Sequence, residues 1–168
     1  MDEKSSTKSF ASKCIALLNT LMEWGGMVAL VTMTLIVNFT VVTRYFLSYT
    51  PSWSESGALL CMVWFGFLSM ALGVRDNQHI SITILDHLIS KQSLHKLEFF
   101  QEGAIFLFGV FMIQQGFVLC EVGMLNNLPG LGLSSAFQYA AVPCSGFAMC
   151  VYSLMHFVND LKGKGRML

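Results

Sequence analysis

Four long apolar runs, separated by shorter polar stretches, set the pattern of this chain. They cover residues 15–43, 53–74, 99–125 and 136–158 in rounded bounds. Each matches or exceeds the roughly 20 mainly apolar residues that carry a helix across a bilayer. Hydrocarbon offers backbone N–H and C=O groups no water, and a helix satisfies those groups internally. The short alternating segments of a membrane β-barrel are not seen. The pattern therefore predicts an all-α integral membrane protein, with one four-helix membrane domain over residues 1–168.

The polar stretches add orientation. Of the ten Lys and Arg residues, nine fall in the N-terminal tail (Lys4, Lys8, Lys13), between spans two and three (Arg75, Lys91, Lys96) and in the C-terminal tail (Lys162, Lys164, Arg166). Arg44 alone lies on the opposite side. Positive charge is retained on the cytoplasmic face, so both termini are expected there. No small-residue cleavage site closes a short apolar core near the N-terminus, so the first run is expected to be an uncleaved span. Between spans two and three, HISITILDHLIS (residues 79–90) places Ile80, Ile82, Ile84, Leu85, Leu88 and Ile89 on one half of a helical wheel. Thr83, Asp86, His87 and Ser90 occupy the other half. That division predicts a short amphipathic helix in the cytoplasmic interface. The alternation of Ile80, Ile82 and Ile84 also permits a strand, although a lone strand would leave its edges unpaired.

VVTRYFLSYTPSWSESG (residues 41–57) then becomes the outward-facing hairpin between spans one and two. Its Tyr45, Tyr49 and Trp53 suit an interfacial aromatic belt. Pro51 starts the second span at low cost, because its missing N–H would be unpaired at a helix start. Arg44 and Glu55 are candidates for an outer docking or assembly contact, or for a local ion pair closing the hairpin. Small-residue pairs at helical spacing, Ser69 with Gly73 and Ala141 with Ser145, are candidate points of close helix approach, as are Gly109 and Gly116 one heptad apart.

Composition narrows the function classes. The 168 residues are 54% hydrophobic and 12% charged, against about a quarter charged in soluble domains. The formal net charge is zero, and no basic stripe accompanies exposed aromatics, so nucleic-acid binding is not expected. The five cysteines form no CxxC, and Cys120 and Cys144, near the same end of spans three and four, are the one conceivable disulfide. The four histidines have neither zinc nor haem spacing, so no metal or cofactor is expected. Transporter sites lie near the bilayer midplane. Here that depth carries no charge, and Asn38, Gln114 and Gln115 suit bonds between helices. Four spans without a substrate site suggest a partner and not an enzyme.

Several stretches resemble one family in order and spacing: TRYF at the end of span one, WSES at the start of span two, VWFGFLSMALGVRDNQHISI, and GLGLSSAFQYAAVP before span four. The chain is similar over nearly its whole length to the small membrane subunit of tripartite ATP-independent periplasmic (TRAP) transporters, the DctQ-like subunit. It departs at Ser56, where the family commonly has a second Glu, and at Thr83, where an Asp often follows His-Ile-x-Ile. The resemblance implies a multi-pass protein of the bacterial inner membrane. It also implies a large DctM-like subunit, which carries the sodium and substrate sites, and a periplasmic DctP-like solute-binding protein that captures an organic acid. The small subunit would support the large one and help dock the binding protein. Arg44, Tyr45, Trp53 and Glu55 are then expected at the outer docking or assembly face. Arg75, His79, Ile80 and Asp86 are expected at the cytoplasmic interface, with lipid around the spans. The alternative reading is a membrane-anchor subunit of a redox enzyme or of another multi-subunit membrane complex.

Overall fold

The computed structural model describes the backbone of residues 3–76 and 91–161, with side chains over 15–76 and 100–157. Those residues form α1 (Glu3–Leu47), α2 (Ser52–Arg75), α3 (Lys91–Met124), α4 (Ala136–Tyr139) and α5 (Ala141–Leu161). Four segments are long and apolar enough to cross a membrane: Ile15–Leu47, Ser52–Arg75, Phe100–Met124 and Ala136–Phe157. They coincide with the four apolar runs to within a few residues at each end. Two helices continue well past their apolar parts, since α1 begins at Glu3 and α3 at Lys91. The segment 79–90, expected to form an amphipathic helix, lies outside the described residues.

The chain forms two compact units, one built on α1 and α2 with Leu128–Gly132, the other on α3, α4 and α5. In the first, α1 and α2 pair as an antiparallel hairpin. A Cβ added at Gly25 would lie 3.1 Å from Leu68, and one at Gly57 would lie 3.4 Å from Ile36. Phe39 stacks on Trp53 at 6.1 Å between ring centroids. Sequence position rises along one helix as it falls along the other. The covered residues of α1 recur at Met22, Gly25, Gly26, Ala29, Met33, Ile36, Thr40 and Thr43. Alternating steps of three and four residues keep such a seam on one side of a helix. The hydroxyls of Thr20, Thr34, Thr40 and Thr43 donate to carbonyls four residues back at 2.7–3.0 Å. Bonding of this kind lets a polar side chain sit in an apolar span without a partner on another helix. Asn38 Nδ2 likewise donates to its own helix, to the Thr34 carbonyl at 2.8 Å.

In the second unit, glycines set the contact between α3 and α5. Gly109, Gly116 and Gly123 stand one heptad apart on α3, and all three are buried. A Cβ at Gly109 would lie 2.7 Å from Cys150 Sγ, and one at Gly116 would lie 2.6 Å from Pro143 Cδ. At Gly123 it would lie 2.7 Å from the Ala136 nitrogen, and at Gly146 it would lie 2.9 Å from the Gly109 carbonyl oxygen. Without an attraction between apolar surfaces that lipid lacks, such close approach supplies dispersion contact between membrane helices. Ala141 and Ser145, the expected small pair, are fully buried on α5. By contrast, a Cβ at Gly73 would meet nothing within 4 Å among the described residues.

The connection from α3 to α4 is pinned by its own polar groups. Ser134 Oγ donates to the Gly123 carbonyl at 2.9 Å and accepts the Ala136 N–H at 3.2 Å. One hydroxyl thus ties the end of α3 to the start of α4. Asn127 and Ser134 form an antiparallel bridge, and Ser135 N–H donates to the Asn126 carbonyl at 2.8 Å. The fourth apolar run is divided at Ala140 into α4 and α5. Pro143 has no N–H to give the carbonyl four residues back, that of Tyr139, where α4 ends.

Candidate functional site

The turn between α1 and α2 carries a cluster of exposed aromatic and charged side chains. Tyr45, Phe46, Leu47 and Tyr49 are exposed, Phe46 by 85%. Ser48, a non-glycine residue at φ 50°, ends α1 in the left-handed region, and the Tyr49 N–H returns to the Thr43 carbonyl at 3.4 Å. Four residues later α2 begins. Ser54, itself buried, gives both its N–H (3.2 Å) and its hydroxyl (2.7 Å) to the Pro51 carbonyl. The turn is therefore held by backbone geometry and a buried serine, which leaves the aromatic rings outside.

Arg44 lies in the last turn of α1 and Glu55 in the first turn of α2, both exposed. Among the described residues no ion pair joins them. Each charge instead complements its own helix: a cation at a C-terminus and an anion at an N-terminus gain about 0.3–1 kcal/mol apiece from the aligned peptide dipoles. Both charged heads remain open to solvent or to a partner. Trp53, by contrast, is tied down by its stacking on Phe39. Ser56, which follows Glu55, is buried, so an acid there would have to be taken out of water.

A second turn, distant in sequence, lies against the start of α2. Leu128, Pro129, Gly130 and Leu131 form a β-turn closed by the Leu131 N–H on the Leu128 carbonyl at 3.3 Å. Gly130, at φ 76°, takes the position of a type II turn that requires φ above zero. A Cβ there would lie 2.5–2.6 Å from the Ser52 carbonyl group and the Trp53 nitrogen. The turn therefore seats its backbone against the start of α2. A Pro-Gly dipeptide favours a turn, but the surface that this turn touches depends on where the start of α2 lies.

At the other end of α2, Arg75 forms a two-pronged ion pair with its neighbour Asp76, Nε to Oδ1 at 2.7 Å and Nη2 to Oδ2 at 3.2 Å. Its expected companions His79, Ile80 and Asp86 lie outside the described residues. A cavity of about 240 Å3 opens between α3 and α5, lined by Glu102, Gly103, Phe106, Ser153, Leu154 and Phe157. The charged residue in that lining is an acid, the wrong sign for an anion. Among the residues whose side chains are described, the lysines and arginines are Arg44 and Arg75, each in the last turn of its helix. Cys61, Cys120, Cys144 and Cys150 carry free thiols, with Cys150 Sγ directed at the Phe106 carbonyl at 3.8 Å.

Among the described residues, no group of three or more His, Cys, Asp and Glu side chains that could hold a metal ion comes together. The family model for tripartite ATP-independent periplasmic transporters, DctQ component, matches residues 33–163. Two curated proteins of Haemophilus influenzae, each named "Putative TRAP transporter small permease protein", are similar to the chain. One is 23% identical over 145 residues, covering 86% of this chain and 88% of the relative. The other is 22% identical over 129 residues, covering 77% and 80% respectively.

Proposed function

This chain belongs to the DctQ component family of TRAP transporters, and from that membership we propose that it is the non-catalytic small subunit that supports a large, sodium-coupled translocating subunit during organic-acid uptake. It is a multi-pass membrane protein and a transporter component, not an enzyme. Its termini face the cytoplasm of a bacterial cell with the spans in the inner membrane, as the nine-to-one placement of Lys and Arg favours. The α1–α2 hairpin then faces the periplasm. There it helps dock the soluble substrate-binding protein or fixes the large subunit beside it.

The observation that carries this reading is the state of Arg44 and Glu55. Both are exposed, Arg44 next to Tyr45 and Phe46 along the chain, and they do not pair with each other. Charge on a protein's rim steers encounter and suppresses wrong partners. An exposed aromatic next to it supplies contact area. Substrate selection resides in the other components, because the described spans offer an anion no lysine or arginine away from a helix end. At the opposite end of α2, Arg75 with Asp76, followed by His79, Ile80 and Asp86, forms the cytoplasmic interface.

Uptake in proteoliposomes that contain all three components tests the assignment. Arg44→Glu and Glu55→Arg are each expected to lower the initial rate several-fold while leaving the amount of small subunit in the vesicles unchanged. If both variants support uptake at the unmodified rate, the two charges serve their helix ends alone.

A further inference from the structure

Helix α1 has two sides of very different fate. One side, through Met22, Ile36 and Thr43, is covered within its own chain. The opposite side carries Val28, Val31, Leu35, Asn38, Val42 and Tyr45. These positions alternate steps of three and four, the spacing that keeps residues facing one partner helix in left-handed packing. Asn38 follows Ile36 by two residues, about 200° around an α-helix, which sets the two seams back to back. The apolar members of the second seam are between 51% and 80% exposed. Nearly all of it lies inside the apolar segment Ile15–Leu47.

Asn38 is the chemically unusual member. Thr20, Thr34, Thr40 and Thr43 of α1 spend their single donor on their own backbone. The Asn38 amide has two N–H donors and a carbonyl, and the contact to Thr34 uses one N–H. Its remaining donor and its acceptor sit on an exposed face among valines and a leucine. Lipid tails cannot bond them, and leaving them unmet carries a desolvation cost. One amide in an otherwise apolar heptad seam fixes which helix pairs and in what register. Amides in membrane helices do so through bonds across the helix pair.

We infer that the Val28–Tyr45 seam of α1 is the face on which a membrane-spanning helix of the translocating component packs, with Asn38 bonded to a polar side chain or exposed carbonyl of that helix. A membrane helix fits the seam better than a soluble protein, because the seam lies within the span. It also runs directly into Tyr45, beside Arg44, so the seam and the proposed hairpin contact are continuous. A partner component fits better than a second copy, because the family to which the chain belongs works in association with other TRAP components. The inference rests on the function proposed above.

The test uses the full chain, tagged and produced together with the large membrane component of the same transporter. A photoreactive residue is placed at Leu35 or Val42 on the seam, and at Leu30 or Val37, which are exposed on other faces. Crosslinks to the large component are expected to be at least about fivefold stronger from the seam positions. Asn38→Leu is expected to lower the large component recovered with the tagged chain about three- to tenfold, and Asn38→Gln to restore most of it. Equal or stronger crosslinking from Leu30 and Val37 overturns the seam while the function stands. A crosslinked pair of small subunits overturns the partner. Failure of the unmodified chain to recover the large component removes the function and the inference together.

Discussion

Gly116 offers a sharp check on the packing of α3 against α5. A Cβ at this position would lie 2.6 Å from Cδ, 2.8 Å from N and 3.0 Å from Cβ of Pro143. Carbon atoms sit comfortably at about 3.5–4.0 Å, so Gly116→Ala requires the helices to part by roughly 1 Å. A proline ring has no rotamer by which to step aside, and both groups belong to helix backbones. A gap of that size forfeits about a quarter to a half of each dispersion contact at the same level. Overpacking of this kind costs about 1–3 kcal/mol.

The substitution also gains up to about 1 kcal/mol in helix propensity. Gly103→Ala on the same helix isolates that gain, because a Cβ there meets nothing within 4 Å. The steric cost is therefore the difference between the two variants. At about 2–4 °C per kcal/mol for a chain of this size, Gly116→Ala should melt roughly 2–12 °C below Gly103→Ala. The assay is thermal unfolding of the purified protein in one detergent, followed by circular dichroism. If Gly116→Ala melts as high as Gly103→Ala, α3 and α5 do not meet at the Gly116–Pro143 contact.

Gly130→Ala should lower thermal stability by about 1–3 kcal/mol, since it strains a positive-φ position and collides with the start of α2; limited proteolysis at residues 128–132 should quicken in parallel. Ser48→Gly should raise the melting temperature by roughly 2–4 °C, because it removes a left-handed penalty of about 1–2 kcal/mol while loosening the unfolded chain. An unchanged melting temperature would show that Ser48 does not hold that conformation in the membrane protein. The isolated chain should bind no dicarboxylate or sialic acid in titration calorimetry; saturable binding would place a substrate site on this subunit.

Sequence alone determined what depends on local composition. An apolar run of sufficient length in lipid must be helical, so the four spans and most of their ends were readable residue by residue. The buried pair Ala141 and Ser145 and the glycines at 109 and 116 were also visible as spacing. The order of short motifs pointed to the family.

Register between distant segments was decided only in three dimensions. Gly116 and Gly73 look alike in the sequence, yet a side chain at the first would strike Pro143 and one at the second would meet nothing among the described residues. Gly130 gains its meaning from Ser52, nearly eighty positions away. Arg44 and Glu55, neighbours across one hairpin, complement their own helix ends and not each other. Asn38 bonds its own helix on one side and presents its remaining polar groups on another. The physical reason is common to all four: hydropathy belongs to a residue and its immediate neighbours, whereas close approach and pairing depend on where the backbone brings a second segment.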